Sequence, residues 1–412
     1  MSDVSLASAL DALLRFGALM LRSGEAAFRV REDMVLLAPR LGIERFSMLV
    51  TLTTLTASGW RGSEQHTLVQ HVGPLGINAA RLGALERLVR NCPASLSPAE
   101  LSVRLEQVER ETPQHPIAIV ALGVGMASAS FAWLNDGNVL EILAAFGAGL
   151  GGQALRSPML GHRLNQYVVA AVCGIAAAGL YSIASTTLSA AGLALGHGIG
   201  LIAAALFLVP GFPLVAALLD LLQDQIPAAL ARLAYGLLLL TCAAVGLGSV
   251  ASLVGFSVHA VQPPQLDLTA KLMLRAVASF LGGMGFAVLY NATWRTALSV
   301  GVLALAGNEL RLALQDAGIG QAPATFAGAL CVGLLASLVQ RRLRERRIEL
   351  TVPGIIIMVP GSAALQSFVL FSRGDTLGGL QASVTAVFVV GAMALGLAVA
   401  RFASERKWLF EG

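Results

Sequence analysis

The stretch "LVPGFPLVAALLD", residues 208–220, places two prolines, a glycine and finally an acid at the end of an apolar run. A second such stretch, "MVPGSAALQSFVL", begins at residue 358, and its pair Pro360-Gly361 follows the pair Pro210-Gly211 by 150 residues. A proline within a helix removes a backbone hydrogen bond, and in lipid such a break is tolerated where it faces protein or a water-filled cavity. The stretches predict two broken membrane helices that line a transport path; the alternative for each is a kink that only shapes packing.

The composition is that of a membrane protein. The chain has 412 residues, of which 56% are hydrophobic and only 13% charged, and its mean hydropathy is +0.74. A soluble domain carries roughly 25% charged residues, so we predict a polytopic α-helical membrane protein. The net charge of +4 fits basic loops that set membrane topology, and we predict no nucleic-acid partner.

No motif for a cofactor or for catalysis stands out in the sequence. The cysteines have no CxxC or Cys/His cluster, so we predict buried thiols without a disulfide or metal role. The segment "GAGLGG" at 147–152 lies in an apolar run, which favours close helix packing over dinucleotide binding. We therefore predict no cofactor. The four cysteines are Cys92, Cys173, Cys242 and Cys331.

The chain divides into three parts: residues 1–114, then two membrane halves over 115–257 and 266–405. The first part is predicted to be a cytosolic α+β domain of the order α-α-β-β-α-α, in which residues 45–60 form one strand and residues 63–73 its hairpin partner. A bundle of cytoplasmic helices without a sheet is the alternative.

About ten apolar runs follow, five in each half, and most are long enough to span a bilayer. Because five is odd, related halves must enter the membrane from opposite sides, which predicts an inverted repeat of the kind common in secondary transporters. The echo between "AAVCGIAAAGL" at 170–180 and "GALCVGLLASL" at 328–338 supports it, although two alanine- and leucine-rich helices can also match by chance. The runs lie near 117–134, 139–156, 165–185, 191–209, 228–256, 270–290, 294–307, 322–340, 350–372 and 379–402.

Basic residues predict the orientation. The ends of the runs on the side of residues 1–114 carry most of the arginines, including Arg156 and the cluster "RRLRERR" at 341–347. The positive-inside rule then places both termini in the cytoplasm.

Few ionisable groups are predicted to lie within the membrane, where they usually face a pathway or a bundle interior. Asp220 and Asp224 follow the first break at the cytoplasmic edge, as gate or coupling residues or as loop acids. His197 titrates near neutral pH and is a candidate proton relay or a packing histidine. Glu141 is a further candidate for proton coupling, or reaches the outer interface.

The segments "SGEAAFRVRE" at 23–32, "LVPGFPLVAALLDLLQDQIPAALARL" at 208–233, "FAVLYNATWR" at 286–295 and "TVPGIIIMVPGSAALQSF" at 351–368 together resemble the bacterial threonine/serine exporter family. The resemblance covers nearly the whole chain. It implies a cytosolic N-terminal domain, about ten membrane helices in two halves, and export of threonine and serine by the proton motive force. Split members of the family are associated with dicarboxylates such as succinate.

The chain also departs from the family pattern. Val215, Ala216, Leu219, Leu365 and Gln366 stand where the family usually has polar residues. A site that has lost such partners loses discrimination, so the resemblance implies the fold more firmly than the substrate. The positions that match in the two breaks are Pro210, Gly211, Pro213, Asp220, Asp224, Arg232, Pro353, Gly354, Pro360, Gly361 and Ser362.

We therefore expect a secondary exporter of small polar amino acids in a bacterial inner membrane, working by alternating access. Its other expected partners are protons and the lipid bilayer, and the sequence is compatible with a homo-oligomer. A dicarboxylate exporter using Arg295 or Arg275, an enzyme acting through residues 1–114 around Ser23 and His66 or His71, and a channel or scaffold are the alternatives. Asn308 is predicted as a substrate contact or an interhelical hydrogen bond. The predicted substrate and gating residues are Pro210, Gly211, Pro213, Asp220, Asp224, Asn291, Arg295, Pro360, Gly361, Ser362 and Gln366, and the predicted proton-coupling residues are Asp220, His197 and Glu141.

Overall fold

The computed structural model describes residues 5–112, 114–193, 199–254, 267–343, 347–372 and 374–405. Residues 5–112 form a small unit of helices around a sheet, which we call the N-terminal module. A one-turn 3₁₀ helix, Ala38–Leu41, precedes its first strand. Its elements are α1 (Leu6–Arg22), α2 (Ala27–Leu37), β1 (Arg45–Val50), β2 (Thr54–Arg61), β3 (Glu64–His71), α3 (Ala79–Arg90) and α4 (Pro98–Glu111).

The sheet of the module is antiparallel, in the order β1-β2-β3. The prediction of a single strand over 45–60 is wrong, because the chain reverses between Thr51 and Thr54. The Thr51 amide donates to the Thr54 carbonyl at 2.9 Å, and the Thr51 hydroxyl accepts from the Thr54 amide at 3.0 Å. The order is thus α-α-β-β-β-α-α, and the alternative without a sheet is also wrong.

The core of the module lies between the sheet and α1. Along β2 every second residue is buried, and these residues face α1, whose Leu6, Leu10 and Leu13 are fully buried. A Cβ added at Gly59 would lie 3.6 Å from Leu10 and 3.7 Å from Leu6. The alternation of β2 therefore matches the apolar face of an amphipathic helix.

The rest of the described chain is a helical membrane bundle. Seven of its helices are long and apolar enough to cross a membrane: α5, α7, α10, α11, α12, α13 and α16. The shortest predicted run, 294–307, is part of α12, which has 23 residues. The helices are α5 (Ile117–Leu134), α6 (Val139–Gly161), α7 (Gln166–Ala190), α8 (Ile199–Ala204), α9 (Gly211–Leu221), α10 (Ile226–Leu253), α11 (Leu268–Leu289), α12 (Trp294–Asp316), α13 (Gln321–Leu343), α14 (Arg347–Ile356), α15 (Gly361–Ser372) and α16 (Thr376–Ser404).

The helices before and after residue 260 pack in the same pattern. In the first set α5 packs on α6, α6 on α7, α7 on α10 and α10 on α9; in the second α11 packs on α12, α12 on α13, α13 on α16 and α16 on α15. Contacts between α5 and α11 join the sets. The echoing stretches at 170–180 and 328–338 lie in α7 and α13, which hold corresponding places in this pattern.

The N-terminal module lies over one end of the bundle. The amide of His115, just before α5, donates to Asn291 Oδ1 at 2.9 Å, and the amide of Ala79 in the module donates to the Tyr290 carbonyl at 2.9 Å. Hence α5 begins, and α11 ends, at the end of the bundle that the module covers.

Candidate functional site

The first Pro-Gly pair separates two helices. After α8 a 3₁₀ turn, Leu206–Leu208, leads to Pro210, which has φ −79° and ψ 53°. The Gly211 amide donates to the Val209 carbonyl at 2.8 Å, which closes an inverse γ-turn around the proline. At the second pair the Gly361 amide donates to the Val359 carbonyl at 2.7 Å. Each pair thus makes a break with a new helix after it, rather than a kink.

The two breaks cross each other at their glycines. A Cβ added at Gly211 would lie 3.2 Å from Ile356 Cγ1 and 3.4 Å from Val359 Cγ2. A Cβ added at Gly361 would lie 2.8 Å from Leu206 Cδ1 and 3.5 Å from Val209 Cγ2. The contacts are reciprocal, because Leu206 and Ile356, like Val209 and Val359, differ by the same 150 positions as the glycines.

A cavity of about 400 Å³ lies between the first break and the N-terminal module. Its volume falls within the range of small-molecule sites. The break itself forms one wall, from Phe207 to Pro213, and residues 74–77 of the module form another. Its polar side chains are Gln153, Arg156, Gln166, Arg232, Tyr235 and Tyr290.

Arg156, in α6, is half-buried at this cavity. Its Nη1 donates to Gln153 Oε1 at 3.5 Å, and its guanidinium lies 5.9 Å from the centre of the Phe207 ring. Nearby, the Tyr235 hydroxyl donates to Gln166 Oε1, and Gln166 Nε2 donates to the Leu75 carbonyl at 2.8 Å. The last bond links the wall of the cavity to the module.

Asp220 is fully buried where the module meets α9 and α10. Its Oδ1 accepts a hydrogen bond of 3.2 Å from the amide of Phe28, in the first turn of α2. Its Oδ2 lies 3.6 Å from Arg232 Nε, and Arg232 Nη2 donates to the Glu25 carbonyl at 2.9 Å. An acid at a helix N-terminus is stabilised by the free amides there. The alternative that Asp220 is a solvated loop acid is therefore wrong.

Asp224 and Arg295, both predicted as substrate or gating residues, lie outside the cavity. Asp224 is exposed in the turn between α9 and α10, with a positive φ of 55°. Arg295 is exposed in the first turn of α12. Arg275, the other arginine of the dicarboxylate alternative, forms an ion pair in which its Nη1 lies 2.5 Å from Asp316 Oδ2.

Asn291 joins the module to the bundle. Its Nδ2 donates to Asn78 Oδ1 at 3.0 Å, and its Oδ1 accepts from the His115 amide. Asn291 has a positive φ of 57°, a conformation that asparagine tolerates better than most residues. Asn308, by contrast, forms an interhelical hydrogen bond of 2.8 Å to Ser279.

Glu141 is fully buried at the start of α6. Its amide and carboxylate form a capping box with Asn138, and its Oε1 accepts a bond of 3.5 Å from the Tyr181 hydroxyl. It does not reach solvent at the interface. Glu141 and Asp220 lie near opposite ends of the bundle, since the first begins α6 and the second lies beside the module.

The remaining predicted residues are a histidine, two residues of α15 and the four cysteines. His197 lies outside the described residues. Ser362 lies in the first turn of α15, directly after Gly361, and Gln366 is half-buried further along the same helix. All four cysteines are free; Cys173 is buried and the other three are half-buried, which corrects the prediction of buried thiols.

The hydrolytic set suggested for the module does not assemble. The buried Ser23 hydroxyl donates to the Leu19 carbonyl at 2.8 Å, and His66 in β3 pairs with Glu64 at 3.0 Å. Within the described ranges, no group of three or more His, Cys, Asp or Glu side chains is placed to hold a metal ion.

Sequence reasoning missed the polar lining of the cavity. It assigned Arg156 to the basic ends that set topology and did not consider Gln153, Gln166 or Tyr235. One signal was present: Gln153 and Arg156 are three residues apart on one helix face, directly after the apolar "GAGLGG".

Comparisons with known proteins agree with one another. Two family models match: one described as a putative threonine/serine exporter over residues 11–254, and one described as threonine/serine exporter, ThrE, over residues 275–403. The chain is 24% identical to a threonine/serine exporter of Corynebacterium glutamicum over 97% of its own length and 83% of the relative's. It is also 24% identical to a probable threonine/serine exporter of Mycobacterium tuberculosis, with 96% and 77% covered. No solved structure matches significantly.

Proposed function

Because the chain belongs to the threonine/serine exporter family, we propose that it exports small polar amino acids of the threonine and serine class as a proton-driven secondary transporter. The observation that carries the proposal is the cavity at the first break, which is large enough for such a molecule and is bordered by non-helical backbone. In membrane proteins, irregular backbone of this kind is found where it lines a path.

Alternating access is the proposed mechanism. It is supported by the reciprocal crossing of the breaks at Gly211 and Gly361 and by the matching packing patterns of the two halves, 115–257 and 266–405. We infer an inverted repeat, because α5 begins and α11 ends at the same end of the bundle. Two such halves rock about a shared centre and expose it to either side in turn.

The N-terminal module is proposed to lie in the cytoplasm and to close the inner mouth of the cavity. Its residues 74–77 form part of the cavity wall, so substrate from that side enters only when the module shifts. Both termini and most arginine-rich ends then face the cytoplasm of a bacterial inner membrane, as the positive-inside rule requires. A role of the module in assembly is the alternative.

Proton coupling is assigned first to Asp220. When its carboxyl is charged, the Phe28 amide and Arg232 hold the module against α9 and α10. Protonation removes the charge that both contacts stabilise, and docking of the module weakens. Glu141, near the other end of the bundle, is a second candidate for the outward-facing side.

The function is tested in proteoliposomes loaded with labelled threonine, serine, alanine and succinate, with and without a pH gradient. We expect gradient-dependent efflux of threonine or serine, and loss of the gradient dependence in Asp220→Asn. Asp267→Asn is the matched control, because Asp267 is an exposed N-cap at the other end of the bundle and asparagine also caps helices. Efflux of succinate alone would refute the assignment to amino acids.

A further inference from the structure

We propose that the cavity at the first break contains a subsite for a single carboxylate and that Arg156 binds this group. The inference rests on the proposed function, since it places one end of the exported amino acid within the same cavity. It is carried by the position of the Arg156 guanidinium, which pairs with no carboxylate among the described residues, next to the Phe207 ring and the non-helical backbone of the first break.

Arg156 differs from the other cation that lines the cavity. Arg232 pairs with Asp220 and also donates to the Glu25 carbonyl. Arg156 donates only to the neutral Gln153 amide oxygen, and no carboxylate of the described residues pairs with it. An uncompensated charge within a membrane bundle is costly, so these positions usually meet a partner from the pathway. A bound carboxylate would supply that partner.

Two other arginines of the bundle pair with a carboxylate. Arg275 pairs with Asp316, and the buried Arg347 lies 3.2 Å from a carboxylate oxygen of Glu405. Both pairs lie at the ends of the bundle. Arg311 in α12, like Arg156, donates only to an amide oxygen, that of Asn308 at 2.9 Å, but it does not line the cavity. What distinguishes Arg156 is therefore its position in the cavity wall beside the first break.

The surroundings of Arg156 hold its guanidinium in place. The Phe207 ring lies beneath it, and Gln153, one turn earlier on α6, accepts one of its hydrogens. A guanidinium has five donors in a planar fork, which leaves enough for a bidentate carboxylate. The facing wall is fixed by the chain of hydrogen bonds from Tyr235 through Gln166 to the Leu75 carbonyl.

The charge balance selects the substrate class. Arg156 is the cavity cation that pairs with no carboxylate of the described residues, and this single charge fits a molecule with one carboxylate, such as a neutral amino acid. A dicarboxylate would bring a second negative charge, and Arg232 is already committed to Asp220. The cavity is thus matched to monocarboxylates.

The test is equilibrium binding of labelled L-threonine to the full-length protein in detergent, with competition by unlabelled L-threonine and by L-threonine amide, which lacks the carboxylate charge. Wild-type protein should prefer threonine to its amide. Arg156→Gln should raise the Kd for threonine about 10- to 100-fold, the size expected for lost charge-assisted hydrogen bonds. It should also abolish the preference, and Arg156→Lys should restore part of it.

Arg163→Gln is the control, because Arg163 is exposed in the loop after α6 and its change removes the same charge outside the cavity. It should bind threonine like the wild type. A wild-type protein that binds the amide as tightly as threonine would overturn the subsite without any variant, as would an unchanged Kd in Arg156→Gln. If the wild type exports no amino acid from proteoliposomes, the proposed function fails; if it exports and Arg156→Gln keeps its KM, only the subsite fails.

Discussion

Asp220 and Arg232 form a buried ion pair whose two members also bind the backbone of the N-terminal module. The side chain of Asp220 is 0% exposed and that of Arg232 5%. Burial of this degree makes each charge dependent on the other, because neither can turn to water. The hydrogen bonds from the Phe28 amide to Asp220 and from Arg232 to the Glu25 carbonyl then join α9 and α10 to the module at the start of α2.

The pair should respond non-additively to mutation. Arg232→Gln alone leaves the Asp220 carboxylate buried with only backbone amide donors, and loss of one partner of a buried pair costs about 3–5 kcal/mol. The double variant Asp220→Asn, Arg232→Gln removes both charges and should be destabilised less than Arg232→Gln alone. Thermal unfolding of the purified protein in detergent measures this, and a simple sum of the single effects would contradict it.

At the scale of elements, the helices approach so closely that backbone touches backbone. A Cβ at Gly285 in α11 would collide with the Gly123 carbonyl of α5, and one at Gly174 in α7 would lie 2.7 Å from the Ala243 carbonyl of α10. Small residues drive such packing in lipid, where no hydrophobic effect draws helices together. The 44 glycines of the chain include many with this role.

Gly285→Ala tests the contact between the two halves. The added methyl meets backbone, which cannot swing aside as a side chain can, so we expect destabilisation of about 1–3 kcal/mol or more. Gly179→Ala in α7 is the control, because nothing lies within 4 Å of its added Cβ. Alanine favours helix there by about 0.5–1 kcal/mol, so this control should be neutral or stabilised. Equal melting temperatures for the two variants would refute backbone packing between α5 and α11.

Local signals explain what was predictable. Apolar runs indicate membrane helices and the Pro-Gly pairs indicate their breaks, because both features depend only on residues that are close together in the sequence. The hairpin at Thr51–Thr54 was missed since "TLTT" contains no glycine, proline or asparagine, and its turn depends on a threonine hydroxyl. The docking of Asp220 was not predictable in this way, because its partner Phe28 lies 192 residues away.

In the whole molecule, the module is attached to the bundle through polar contacts as well as through Ala26, Phe28 and Ala79, which are buried in the apolar core of the bundle. Asn291 binds Asn78, Gln166 binds the Leu75 carbonyl, and Arg401 lies 5.1 Å from the centre of the Phe28 ring. Polar contacts of this kind exchange with water at modest net cost. These polar contacts can therefore break and re-form, as the proposed opening of the cavity requires.

A reversible crosslink decides whether this separation is required. The background is a chain in which the four native cysteines are replaced by serine. In it, Asn78 and Asn291 are changed to cysteine, because their side chains lie 3.0 Å apart across the interface. A short reducible bis-thiosulfonate reagent then joins the two cysteines. If the module must move to open the cavity, the joined protein should not export, and dithiothreitol should restore efflux to the level of the untreated double variant. The reagent should leave export by each single-cysteine variant at the level of the same variant without the reagent. Export by the joined protein at the untreated rate would show that the module stays docked and that substrate reaches the cavity by another route, between the helices.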